Sequence, residues 1–312
     1  MFLANHQNAL LDALLIATHC KRKPYFLTRS DVFKTALLKV FFEFLQMIPV
    51  YRIRDGKNSL AGNTAIFERC AQLLGRGEAV LIFPEGNHSL KRRVRPLSKG
   101  FTRILFLALE SNPSMDIGIV PIGVNYANAA KFPDKAALYY GNEIRVQDFF
   151  DKKDVSGSAS RLKEEVYHHL KKLTTHIEEE SSYEEIVHTL DRAKVDYLDP
   201  AGVNRIIEEG TSPENRKIGK GKVGLMNYLF RGVFYILNFP MLIIWSRFIK
   251  PKVSEPEFLS TTRFMYALLF YPFFYLLFIA GMLEFLNWPA TSIICLAHLT
   301  LNIVLVKLSW ED

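Results

Sequence analysis

The sequence predicts an α/β head, with a sheet flanked by helices, followed by C-terminal membrane helices. Three observations carry this. Short Val- and Ile-rich runs alternate with helical periodicity through the first half of the 312 residues. Residues up to about Lys222 have the composition of an ordinary charged globular segment, whereas Phe, Leu, Ile and Tyr dominate after it. Within the apolar part, Phe264 to Leu283 carries no charge over roughly the 20 residues that a bilayer-crossing helix needs.

Taken in order, the predicted strands are Pro49 to Arg52, Ala79 to Phe83, Ile117 to Val124 and Ala137 to Gly141. Between the first two, Ala65, Ile66, Phe67, Cys70, Leu73 and Leu74 follow helical spacing and stop at Gly75 and Gly77, as a helix C-terminus does. Phe101, Ile104, Leu105, Ala108 and Leu109 predict a second helix. Residues 156 to 209 are strongly charged and read as solvent-exposed helices without chemistry, and Thr211 to Asn215 as a linker.

Beyond the linker, Val223 to Ser246 has positive residues at both ends, Lys220 and Lys222 before and Arg247, Lys250 and Lys252 after. A span and an interfacial or re-entrant helix are both open for it, and the charges favour keeping both ends cytosolic. Ser292 to Val306, after Pro289, is expected to return as the second arm of a helical hairpin. The parts are therefore a head at 1–150, a charged helical segment and linker at 151–218, and membrane-associated helices at 219–312. The head is expected to face the cytosol.

Composition limits the function classes. Three scattered cysteines, Cys20, Cys70 and Cys295, suit neither a disulfide framework nor a zinc finger. The net charge of +7 is concentrated in Lys91-Arg92-Arg93-Val94-Arg95 with Lys99 and Arg103, and again in Arg216, Lys217, Lys220 and Lys222. Such clusters suit anionic substrates or anionic lipid, or form a solvated face. No nucleic-acid signature accompanies them, so no nucleic-acid partner is expected.

Chemistry concentrates in Asn5-His6-Gln7-Asn8-Ala9-Leu10-Leu11-Asp12 and Phe83-Pro84-Glu85-Gly86-Asn87-His88-Ser89, with Val120-Pro121-Ile122-Gly123-Val124-Asn125 following. The first two runs fall at strand-to-helix junctions, where α/β sheets bind ligands. A hydroxyl attacking a thioester must lose its proton, and imidazole titrates near working pH, so His6 is a candidate base. Asp12 is the nearest carboxylate to hold its other ring nitrogen. A helix-capping or core histidine is the bland reading of His6. No serine or cysteine nucleophile is evident beside the pair, so direct transfer is simpler than an acyl-enzyme. Glu85, Asn87, His88 and main-chain donors around Gly86 are candidates for phosphate and hydroxyl recognition. Arg52 and Arg54 are candidates for a bidentate phosphate grip.

Asn5-His6…Asp12, Val50-Tyr51-Arg52, Phe83-Pro84-Glu85-Gly86 and Val120-Pro121-Ile122-Gly123, in this order over roughly residues 1 to 145, resemble the glycerolphosphate acyltransferase superfamily, which includes lysophosphatidate acyltransferases. The resemblance implies a mixed sheet, an acyl thioester of coenzyme A or acyl carrier protein as co-substrate with no other cofactor and no metal, and an acceptor that is glycerol-3-phosphate or 1-acylglycerol-3-phosphate. It makes His6 and Asp12 catalytic, Arg52 and Glu85-Gly86 acceptor-binding, and Pro121 part of the acyl-side wall. Two departures stand out. Five residues separate His6 from Asp12 where the family usually has four, and Asn87-His88 replaces the usual Thr-Arg. Both resemble the fungal-type glycerol-3-phosphate and dihydroxyacetone-phosphate acyltransferases, which tilts the acceptor slightly towards glycerol-3-phosphate.

Met1 lies four residues before Asn5, so the strand delivering His6 is expected to be nearly missing and the natural chain to begin upstream. The leading function is thus fatty acyl transfer in phospholipid synthesis by a membrane-anchored enzyme. A catalytically inactive lipid- or acyl-binding membrane protein of the same fold is the alternative, and a metal hydrolase built on His6, Asp12 and His88 is weaker, lacking compact ligand spacing.

Overall fold

The computed structural model describes residues 1–30, 40, 42–51, 57–210 and 225–310. Two compact units emerge: Met1–Ala127 with Lys135–Asn215, and Asn128–Asp134 with Arg216–Asp312. The segment at 156–209 falls within the first unit rather than forming one of its own.

The first unit is built on a seven-stranded mixed sheet in the order β3-β2-β4-β1-β5-β6, with β7 also on β5. The strands are β1 (Phe2–Ala4), β2 (Tyr25–Arg29), β3 (Met47–Val50), β4 (Val80–Ile82), β5 (Gly118–Tyr126), β6 (Ala136–Tyr140) and β7 (Ile144–Arg145). β1 to β5 run parallel, and β6 and β7 pair antiparallel with β5. The lead-in strand to His6, expected to be nearly missing, is present as β1. Its three residues lie in the middle of the sheet between β4 and β5, with Leu3 and Ala4 fully buried. β2 escaped the sequence reading because Tyr-Phe-Leu-Thr-Arg has no clear period of two.

The helices are α1 (Ala9–His19), α2 (Lys57–Gly75), α3 (Gly100–Ser111), α4 (Val155–Leu173), α5 (Tyr183–Arg192) and α6 (Pro200–Glu208). α2 ends where its glycines indicate, Gly77 turning at φ 77°. The largest core joins Phe101, Ile104, Leu105 and Leu109 of α3 to Val80 and Ile82 of the sheet and to Leu162, Val166 and Leu170 of α4. α4 thereby corrects the reading of 156–209 as solvent-exposed. Ala159, Leu162, Val166 and Leu170 form a stripe of helical period, and the charges between them occupy its other face. Ile177, Tyr183, Leu190, Tyr197 and Val203 make a second small core.

Gly123 of β5 has a packing role. A Cβ there would lie 2.1 Å from the Leu173 carbonyl oxygen, so the end of α4 rests directly on the strand. Asn125 fastens the same place, its Nδ2 donating to Leu173 O at 2.9 Å.

In the second unit, Pro256–Leu283 (28 residues) and Trp288–Ser309 (22 residues) are long and apolar enough to cross a membrane. They correspond to α9 (Leu259–Leu283) and α10 (Trp288–Trp310), so the last helix runs well beyond the expected Ser292 to Val306. The stretch expected at Val223 to Ser246 holds α7 (Leu225–Leu237) and α8 (Phe239–Ile244), and α7 meets the helical run Phe239–Lys252 at a bend of 84°. Asn238 sits at that break, buried, before Pro240. Its Nδ2 donates to Phe234 O at 2.9 Å and to Asn302 Oδ1 at 2.6 Å, and Tyr271 donates to its Oδ1 at 3.0 Å.

Candidate active site

Sheet register brings the two motif runs together. Leu3 of β1 pairs with Ile82 of β4, and three residues beyond each come His6 and Glu85, at the carboxyl ends of adjacent parallel strands. Asn5 prolongs the sheet past β1 with its side chain. Its Oδ1 accepts from Val124 N at 2.7 Å and its Nδ2 donates to Val124 O at 3.0 Å. This amide stands in for a residue of β-ladder and fixes where the chain leaves the sheet.

Asp12 is fully buried in the first turn of α1. Its Oδ2 lies 2.7 Å from His6 Nδ1 and accepts Gln7 N at 2.7 Å and Asn8 N at 2.8 Å. Its Oδ1 accepts the Tyr126 hydroxyl at 2.7 Å. A carboxylate so surrounded is held in one orientation, and its acceptance at Nδ1 places the proton of a neutral His6 there. The five-residue spacing does not separate the pair. Ala9 enters α1 at φ 37°, on the left-handed side, and the turn it makes returns Asp12 beneath the imidazole.

His6 stacks on Phe83, centroids 4.1 Å apart and planes 14° apart, with His88 edge-on at 5.5 Å. Its side chain is 15% exposed, and Nε2 makes no hydrogen bond among the described residues. The ring is thus fixed at Nδ1 and on one face, with its second nitrogen available.

Residues 1–125 match the family described as Acyltransferase. Over 84 residues the chain is 32% identical to glycerol-3-phosphate O-acyltransferase 2 of Saccharomyces cerevisiae, and over 83 residues 26% identical to glycerol-3-phosphate O-acyltransferase 1 of the same yeast. Over these residues the head is similar to the Acyltransferase family and to the glycerol-3-phosphate acyltransferases among its members. Each yeast match covers 27% of this chain and 11% of the yeast protein, so the chain spans about a tenth of the length of the relatives it matches. Among solved structures, the 1-acyl-sn-glycerophosphate acyltransferase PlsC of Thermotoga maritima aligns with a TM-score of 0.38 and 16% identity, covering 57% of this chain and 67% of that one.

In this acyltransferase head Glu85 is the second buried carboxyl at the site. Its side chain is 2% exposed, and Oε2 accepts Arg95 Nε at 2.9 Å and Nη2 at 2.6 Å. Arg95 also donates to the Asn87 carbonyl. Oε1 is buried with no hydrogen-bond partner among the described residues. Burial raises the Glu85 carboxyl from about 4.5 to about 7, outweighing the downward pull of Arg95, because half of the carboxylate has no donor to replace water. A native state that holds this proton more tightly than the unfolded chain loses stability as pH rises through about 7, and holds it in full below about 4.5. Glu85→Gln is therefore expected to match wild type in thermal unfolding at pH 5 and to exceed it at pH 8, by up to about 3 kcal/mol. A variant equally destabilised at both values would show that the Arg95 pair outweighs the burial.

The remaining sequence candidates separate. Gly86 turns at φ 71°, a conformation that favours glycine, and its N–H donates to Phe83 O at 3.0 Å. Asn87 is exposed and its Oδ1 accepts His88 N at 2.9 Å, while His88 is buried against His6. Pro121 is buried on β5 opposite Leu3, its carbonyl accepting Gly141 N. Arg52 and Arg54 lie outside the described residues.

Within the basic cluster, Arg92 and Arg95 make internal bonds, whereas Lys91, Lys99 and Arg103 are exposed. Arg92 lies 3.3 Å over the Tyr197 ring and donates to the Tyr126 and Ala127 carbonyls at 3.0 and 2.8 Å. Arg95 holds Glu85, and Lys91 and Arg93 reach the exposed Glu180. Sequence reading missed Tyr126, Arg95 and Phe83 as site residues. Alternation along Ile122-Gly123-Val124-Asn125-Tyr126 was the available signal for Tyr126. None existed for the Glu85–Arg95 pair, whose partners lie ten positions apart in the chain.

Proposed function

We propose that this head transfers a fatty acyl group from an acyl thioester to a hydroxyl of glycerol-3-phosphate or of 1-acylglycerol-3-phosphate, with His6 as general base. The observation that carries the reading is the His6–Asp12 pair, oriented by a buried carboxylate with three further donors and leaving Nε2 open at the carboxyl end of the sheet. His6 Nε2 takes the hydroxyl proton as the oxygen attacks the thioester carbonyl carbon. The tetrahedral intermediate then expels the thiolate, which takes that proton back from the imidazolium. Asp12 stabilises the imidazolium between the two steps.

Glu85, near its midpoint at neutral pH, can accept from or donate to an acceptor hydroxyl through Oε1. Arg95 is paired with Glu85, and Arg52 and Arg54 are the residues proposed to hold the acceptor phosphate. The donor is acyl-CoA or acyl carrier protein, and the membrane helices keep the head at the cytosolic face, where an acylated product partitions into lipid. The names of the yeast relatives favour glycerol-3-phosphate as acceptor.

The test reconstitutes the full chain in liposomes with palmitoyl-CoA, or palmitoyl carrier protein, and either acceptor. One acylated product is expected, formed faster from glycerol-3-phosphate. Faster acylation of 1-acylglycerol-3-phosphate would reassign the acceptor, and absence of product with all four pairs would favour a lipid- or acyl-binding protein of the same fold.

A further inference from the structure

Tyr126 lies at the end of β5, outside both motif runs that carry the proposed chemistry, and 4% of it is exposed. Its hydroxyl donates to Asp12 Oδ1 at 2.7 Å, on the side of the carboxylate away from His6 Nδ1. The other donors to Asp12, Gln7 N and Asn8 N, are main-chain groups of the motif itself and share Oδ2 with His6. Tyr126 is the side-chain donor on Oδ1. Its own position is anchored through its carbonyl, which accepts Arg92 Nη1 at 3.0 Å while Arg92 stacks on Tyr197. The main chain of Tyr126 is thus held both by the sheet and, through Arg92, by the small core around Tyr183 and Tyr197.

We propose that Tyr126 is a positioning residue of the transfer reaction, which sets the orientation and basicity of Asp12 and, through it, the proton affinity of His6. This rests on the reading of His6 as base. Charge on the Asp12 carboxylate is partitioned between its two oxygens. A carboxylate that donates electron density to a phenol hydroxyl has less to offer an imidazole on its other oxygen, so the hydroxyl keeps the imidazolium from being over-stabilised at neutral pH. It also blocks rotation of the carboxylate about its χ2, which would cost His6 the bond that aims Nε2. The other ionisable groups facing His6 are His88, edge-on at 5.5 Å, and Glu85 with its partner Arg95. These groups are unchanged in sequence in the variants compared below.

The test compares Tyr126→Phe, which keeps the buried ring and removes the oxygen, with 3-fluorotyrosine placed at 126, which makes the phenol a stronger donor. Rates of acyl transfer by the full chain in liposomes are measured across pH, with thermal unfolding recorded beside them. Tyr126→Phe is expected to lower kcat about 10- to 100-fold with KM for the thioester little changed, and to move the acid limb of the kcat profile to higher pH. The fluorinated protein is expected to move that limb to lower pH. A merely structural role would lower the unfolding temperature and leave both limbs in place, which would overturn the proposal. If Tyr126→Phe does not fold, the fluorinated protein decides alone, because an unmoved acid limb overturns the proposal. His6→Ala in the same series keeps the two readings apart: full activity of that variant removes the base itself, whereas its inactivity beside an unperturbed Tyr126→Phe removes only the positioning role.

Discussion

His6→Ala is expected to lower acyl transfer by about two to four orders of magnitude, the range over which a positioned base accelerates proton removal, and to leave the fold standing. The fold should survive because Asp12 keeps Gln7 N, Asn8 N and the Tyr126 hydroxyl after the imidazole is gone, so no buried charge is stranded. What is lost is the ring stacked on Phe83, a partly exposed contact whose removal costs on the order of 1 kcal/mol. The measurement pairs initial rates with thermal unfolding of the same preparation. A rate within a few-fold of wild type would remove His6 from the chemistry, and a collapsed unfolding transition would make the rate uninterpretable as a statement about the base.

Asp12 separates charge from structure through two substitutions. Asp12→Asn keeps the shape. Its amide oxygen can take the place of Oδ2 for the two main-chain donors and His6, and its amide nitrogen can donate to the Tyr126 oxygen. Stability is then expected to fall by no more than about 1 kcal/mol, while the rate falls by about 10²- to 10⁴-fold because nothing stabilises the imidazolium. Asp12→Ala instead strands Gln7 N, Asn8 N and the Tyr126 hydroxyl in a site where Asp12 is fully buried. At roughly 1–3 kcal/mol for each orphaned donor, partly relieved by entering water, the loss is expected to be about 3–5 kcal/mol. Denaturant unfolding of both variants reads the difference. An Asp12→Ala protein as stable as wild type would mean that the carboxylate does not organise the turn from β1 into α1.

Much of the head was legible in the sequence because its signals are local. The runs at Ala79 to Phe83 and Ile117 to Val124 became β4 and β5 to within two residues, and Gly75 and Gly77 closed α2. The chemical side chains stood out because His6 and Glu85 fall just past strand runs, at junctions where α/β sheets bind ligands. β1 was harder, since three residues are too few for any period to show, and its neighbours β4 and β5 supply the burial that makes it a strand. The apolar stripe of α4 was legible in principle but hidden by the charges around it.

Residue identity and spacing by themselves determined the α/β head, the apolar helices at the end of the chain and the family likeness, because periodicity, apolar length and motif order are properties of the chain alone. Tertiary structure decided which of these residues act on one another. Asp12 is a partner of His6 despite the extra residue because Ala9 turns to the left-handed side, and Tyr126 joins them because β5 lies beside β1. Arg95 belongs to Glu85 instead of to a ligand because a loop folds it back onto a buried carboxylate. Hydrogen bonds of under 3 Å are set by register, loop closure and burial, and none of these is written in the spacing of residues along a chain.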